Sequence, residues 1–139
     1  MNQMVKGILP DVNIPGQFQF LLHLLNEETR RELWTSLNWI TPTFEQLGLL
    51  PNSSDLLIWQ KCQQEQLVLL TANRNEKGTE SLQFAIRSFN KPDSIPVFTL
   101  ANQARITKDR PYAEHVADRL LEYAFDIDNL RGTGRIYLP

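Results

Sequence analysis

The side chains of this sequence with chemistry to offer lie mostly at the ends of apolar segments. Asp11 and Asn13 follow the run 4–9, Asp55 sits just behind the polar cluster 51–54, and Asn73 and Asn75 follow the run 67–71. Arg74, Arg105, Lys108 and Arg110 also trail apolar runs, while Arg131 and Arg135 flank Gly132 and Gly134. Cations in such positions can hold the phosphates of a nucleic acid, or can simply be solvated surface.

Other chemistries are excluded quickly. Cys62 is the only cysteine, so neither a disulfide framework nor a thiolate-cluster metal site can form, and the expected role is a small buried hydrophobe. His23 and His115 lie off the apolar stripes of their segments and in no metal-ligand spacing, which makes both surface histidines. No Gly-x-Ser-x-Gly elbow occurs, and Gly132-Thr133-Gly134 does not stand between a strand and a helix as a phosphate loop requires. A phosphoacceptor receiver domain would need an aspartate ending the strand 67–71, where the chain has Asn73.

The elements that must position these residues follow from periodicity. The apolar run 4–9, stopped by Pro10, reads as a buried first strand. A helix begins near Pro15, with Phe18, Leu21, Leu22 and Leu25 on one face, and Leu33, Trp34 and Leu37 extend helical structure. Trp39, Ile40 and Pro42 mark an extended edge stretch. The cluster 51–54 caps a helix running to about Gln64, and the continuous run 67–71 is the most clearly marked central strand. Leu82, Ala85, Ile86 and Phe89 repeat the helical spacing, 96–100 reads as a further strand, and Pro111 opens a helix striped by Ala113, Val116, Ala117, Leu120, Leu121 and Ala124. The segment 129–139 alternates at Ile136-Tyr137-Leu138, as an edge strand or a subunit-interface tail would.

Strands alternating with helices imply an α/β protein, a three-layer α/β/α sandwich around a mainly parallel sheet of four or five strands. The length of 139 residues fits one domain over 1–139. A net charge of −2 gives no broad cationic field for non-specific nucleic-acid binding, and no apolar run is long enough to span a bilayer. Residues 1–10 lack a signal-peptide layout, so a cytoplasmic protein is expected. Parallel sheets meet ligands at the carboxyl ends of their strands, which selects Asp11 and Asn13, then 72–75, then 102–105.

Asp11-Val12-Asn13-Ile14-Pro15 after the first strand, Ser54-Asp55 opening a helix, and Leu69-Leu70-Thr71-Ala72-Asn73 ending a central strand occur in a familiar order. Over roughly residues 4–76 the chain resembles the PIN-like superfamily, and more narrowly the small bacterial PIN-like proteins, many of them regarded as toxin components. Those proteins begin strand-Asp-Glu-Asn-Leu-Pro, continue with a Ser-Asp helix start and end a strand in Thr-Arg-Asp. Two positions depart from that pattern: Val12 replaces the usual Glu and Asn73 the usual Asp.

The resemblance implies a ribonuclease whose carboxylates hold Mg²⁺ or Mn²⁺, since hard cations take oxygen ligands and activate water. Carried across, Asp11, Asp55 and Asn13 are its metal ligands, and Asp11, Asp55 and Asn73 its catalytic set. Arg74, Arg105, Arg131 and Arg135 would contact RNA. Glu76, Glu80 and Asp109 could replace the missing acids. Expected partners are RNA, an antitoxin protein and a second copy of the chain, with no membrane. The alternative implied by Val12 and Asn73 is an inactive PIN-like binding or oligomerisation module. Each residue also has a plainer role: an Asx-turn for Asp11, a helix cap for Asp55, loop geometry for Asn73 and Asn75, and solvated surface for the remaining acids.

Overall fold

A computed structural model describes residues 3–72 and 81–139. Four strands, β1 (Gly7–Pro10), β2 (Leu67–Thr71), β3 (Val97–Leu100) and β4 (Arg135–Leu138), form a parallel sheet in the order β1-β2-β3-β4. Among the described residues six α-helices alternate with them: α1 (Pro15–Leu25), α2 (Glu28–Leu37), α3 (Asp55–Glu65), α4 (Leu82–Phe89), α5 (Gln103–Ile106) and α6 (Arg110–Phe125). Parallel neighbours require each connection to return the chain to the opposite edge of the sheet, and helices are the compact way to do so.

Period-two alternation along the strands divides the interior into two cores, giving three layers. Ile8, Val68, Leu70, Phe98, Leu100 and Leu138 point into one core, with Phe18, Leu21, Leu24 and Leu25 of α1 and the Ala113-to-Leu121 stripe of α6. Leu9, Leu67, Leu69 and Val97 point into the other, with Ile58, Trp59 and Cys62 of α3 and Leu82, Ala85 and Ile86 of α4. No helix among the described residues is long and apolar enough to cross a membrane.

Two elements differ from expectation. Phe89, placed in the core by its spacing, is 43% exposed, because α4 ends at that residue and its C-cap Asn90 is already extended. The connection after β3 contains α5, four residues with one buried side chain, too short for any periodic signal. The C-terminal segment does form an edge strand, β4, with Tyr137 half exposed.

The other edge is sealed. Ile40 forms a parallel bridge to Gly7, with Ile8 N–H donating to the Ile40 carbonyl (3.0 Å) and Ile40 N–H to the Lys6 carbonyl (2.9 Å). The approach tolerates only glycine at position 7, since a Cβ there would stand 2.0 Å from the Ile40 carbonyl oxygen. The chain thus goes from β1 to one side at Ile40 and then to the other side at β2. The carboxyl end of β1 is therefore a topological switch point, the place where open parallel sheets accept ligands.

Candidate active site at the carboxyl edge of the sheet

Asp11 extends β1 by one rung: its N–H donates to the Leu70 carbonyl at 2.8 Å. Two residues beyond Leu9, it carries its side chain to the α3/α4 face. There the Thr71 hydroxyl donates to Asp11 Oδ2 at 2.9 Å. Cys62 on α3 records that orientation, because its thiol is pushed up to about 12, first by burial and then by the negative charge of Asp11. The carboxylate therefore faces the α3 layer.

Asp55 reaches the same place from α3. Ser54 is the N-cap of that helix, its side chain accepting from Leu57 N–H at 3.2 Å, so Asp55 does not cap its own helix. Its Oδ2 instead accepts from the Leu82 N–H, the first residue of α4, at 3.0 Å. Both α3 and α4 carry the chain back toward the amino edge, so their first turns lie at the carboxyl edge. Asp11 and Asp55 thus share an edge and a face, beside the positive ends of two helix dipoles.

A polar row continues across the sheet. Thr71 is in register with Thr99, both at most 1% exposed, and Arg135 Nη1 donates to Thr99 Oγ1 at 2.8 Å. Arg135 also lies over the Tyr137 ring, 5.9 Å from its centroid. Adjacent strands are about 4.8 Å apart, so a half-buried acid and a half-buried arginine stand two or three strand spacings from each other, with the buried Thr71 and Thr99 between them. Beside Asp11, a cavity of about 240 Å³ lined by Val12, Phe18, Thr43 and Phe44 opens between β1 and the 41–44 segment.

The other expected site residues are distributed differently. Asn13 is exposed in the turn between β1 and α1. Arg105 lies at the carboxyl edge but in the α1/α5/α6 layer, its Nε bonded to Asp109 at 2.9 Å and its guanidinium 4.5 Å from the Tyr112 ring centroid. Asp109 is the N-cap of α6, accepting from Tyr112 N–H at 3.2 Å, and this bond with that to Arg105 holds its carboxyl below the usual range. Its role is the plain one, a helix cap. Arg110 grips Glu27 through two bonds of 2.7 and 2.6 Å. Arg131 sits at the amino edge, just before β4, bound to Asp128, the Asp93 carbonyl and the Gln3 carbonyl. Asn73, Arg74, Asn75, Glu76 and Glu80 lie outside the described residues.

Among the described residues no group of three or more His, Cys, Asp or Glu side chains is placed to hold a metal ion. The donor set at the edge is two carboxylates and neighbouring hydroxyls, all hard oxygen donors, a set compatible with Mg²⁺ or Mn²⁺ that keeps several waters. Thr71 and Thr99 were missed by sequence reasoning. Their only signal is parity, since Thr71 shares the alternation of Leu67 and Leu69 and so points to the acids' face. Comparison with protein-family models, with curated proteins and with solved structures finds no match.

Proposed function

We propose that the chain is a PIN-like endoribonuclease that hydrolyses RNA phosphodiesters with Mg²⁺ or Mn²⁺, in a cytoplasmic setting and as the toxin component of a toxin–antitoxin pair. The observation that carries this reading is the placement of Asp11, held by Thr71, and Asp55 on one face of the carboxyl edge at the switch point. Mg²⁺ is commonly held by one or two carboxylates together with substrate phosphate, which is what Asp11 and Asp55 can offer. When bound, such an ion neutralises phosphate charge and lowers the pKa of a coordinated water. Thr71 fixes the rotamer of Asp11, and Arg135, in the same row, supplies positive charge toward a phosphate backbone. The α3 and α4 N-termini add to that attraction.

Purified protein incubated with Mn²⁺ and a mixed RNA tests the reading. Cleavage that is lost in Asp11→Asn and restored by no other divalent ion in that variant supports it. Absent cleavage, or cleavage unchanged in Asp11→Asn, removes it.

A second reading, an inactive PIN-like module that binds or oligomerises, draws on β4, an edge strand with Tyr137 half exposed. Light scattering on the intact chain and on a chain ending at residue 128 separates the two outcomes: an unchanged mass counts against the tail as an assembly element.

A further inference from the structure

The cavity of about 240 Å³ beside Asp11 opens between two walls that are already fixed. On one side the Asp11 carbonyl accepts from the Ile14 N–H at 3.3 Å, which holds the turn carrying Val12 into α1 and Phe18. On the other side Thr43 and Gln46 are bonded both ways. Thr43 N–H donates to Gln46 Oε1 at 2.9 Å, and Gln46 N–H donates to Thr43 Oγ1 at 3.2 Å. The Phe44 carbonyl accepts from the Leu47 and Leu49 N–H groups at 3.0 and 2.9 Å, so the 41–44 wall is equally held. A ligand entering here meets a preformed surface, as most ligand sites offer.

The lining selects by chemistry. Among the described residues no Lys or Arg side chain borders the cavity and Asp11 does, so a phosphate finds no partner inside it. Phe18 and Phe44, 5% and 6% exposed, give it flat apolar lining, whereas Val12 and Thr41 are exposed and stand at its mouth. Thr41 and the exposed Gln19 add a hydroxyl and an amide, able to donate and accept. An uncharged, flat ring with polar edges matches such a surface. Pockets that enclose drug-sized molecules occupy about 300–1,000 Å³. This one is smaller, and holds one ring system rather than a whole nucleotide.

We infer that this cavity receives the base of the nucleotide whose phosphate lies at Asp11 and Asp55, an inference that rests on the nuclease reading and adds to it a determinant of where RNA is cut. One sugar separates a base from its phosphate. With the phosphate neutralised by an ion at the carboxylates, its base is therefore within reach of a cavity that Asp11 itself borders. Unpaired bases are commonly read in this way, splayed from the strand, packed on aromatic or apolar side chains and bonded at their edges. Val12 and Thr41, between which the base enters, are the specificity-determining residues.

Two variants fill the mouth from opposite walls, Val12→Trp and Thr41→Trp, and a melting curve checks that each folds. In the first measurement the four ribonucleoside 5′-monophosphates, the four 3′-monophosphates and ribose 5-phosphate are titrated with Mg²⁺ and followed by saturation-transfer NMR. At least one nucleotide is expected to bind with a Kd of about 1 mM or tighter, its ring protons receiving saturation. Ribose 5-phosphate should bind at least about tenfold more weakly, because packing of a base contributes about that much. Both filled variants should weaken the best nucleotide by a similar factor. Ribose 5-phosphate binding as tightly as the best nucleotide, or filled variants binding like wild type, overturns the inference.

In the second measurement a random-sequence RNA is cleaved with Mn²⁺ and the ends are sequenced. One base should be enriched beside the cut by wild type, and the enrichment should fade in the filled variants. Cleavage without enrichment, or with enrichment unchanged by filling, overturns the inference and leaves the nuclease reading standing. Nucleotide binding that filling blocks, in a chain that cleaves no RNA, removes the nuclease reading and keeps the cavity as a base site.

Discussion

The hydroxyl of Thr71 donates to the carboxylate of Asp11 across the junction of β1 and β2, at 2.9 Å. A bond to an ionised, partly buried group contributes about 1.5–3 kcal/mol and, as importantly, selects one rotamer. Thr71→Val keeps the shape and the strand preference while deleting the donor. The expected outcome is a loss of about 1–3 kcal/mol in urea unfolding and, under the proposed nuclease function, a Mn²⁺-dependent RNA cleavage rate reduced about tenfold or more, with Thr71→Ser recovering most of both. A rate unchanged in Thr71→Val would mean that the orientation of Asp11 does not matter to the reaction.

Gly7 and Gly16 form a matched pair. A methyl group at Gly7 would collide with the Ile40 carbonyl oxygen at 2.0 Å, whereas one at Gly16 in α1 meets nothing within 4 Å. Gly7→Ala should therefore destabilise by more than about 2 kcal/mol, by forcing Ile40 off the edge of β1. Gly16→Ala should be neutral or stabilising by up to about 1 kcal/mol, since alanine loses less conformational freedom in a helix. Chemical denaturation of both variants checks the contrast.

These contacts also show what could be read in advance. The β2 run, the Pro15 helix start and the six-residue stripe of α6 announced themselves, because burial on both faces of a strand or one face of a helix is written directly as hydrophobic period. Asp11 and Asp55 were recognisable as candidates, but that Asp55 would accept from the first residue of α4, whose N-cap is Ser81, depends on the docking of two helices far apart in sequence. Arg131 follows the same logic: next to a glycine pair it resembled a phosphate contact, yet it is held at the amino edge by carbonyls of Gln3 and Asp93, a long-range relationship with no local signature. The cavity of about 610 Å³ at the amino edge was invisible for that reason too, because the 59–66 and 88–94 stretches that form most of its wall are brought beside Gln3 and Arg131 only by the fold.

Cys62 should be chemically silent while the protein is folded. Burial and the Asp11 charge push its thiol up to about 12, so almost no thiolate exists at pH 8. A disulfide reagent at pH 8 should leave the native chain unmodified and titrate one thiol in denaturant. Rapid modification of the native chain would show that the α3 layer opens readily.

Asp109 gives a pH signature to the start of α6. Its carboxyl is held below the usual value, first by the Tyr112 N–H and then by Arg105. A lowered folded pKa means the contribution is complete above the unfolded value near 4 and disappears as pH falls through the folded one. Asp109→Ala should lower the melting temperature at pH 7, and the difference from wild type should vanish near pH 2. A gap that persists in acid would assign the effect to something other than the ionised cap.

The sheet is laid down in the order of its own strands, each parallel to the one before it. During synthesis every new strand emerges to find its neighbour already made, and Ile40 closes the outer flank of β1 before β2 exists. Growth of the sheet thus proceeds in one direction, and β4 is left as its open margin among the described residues.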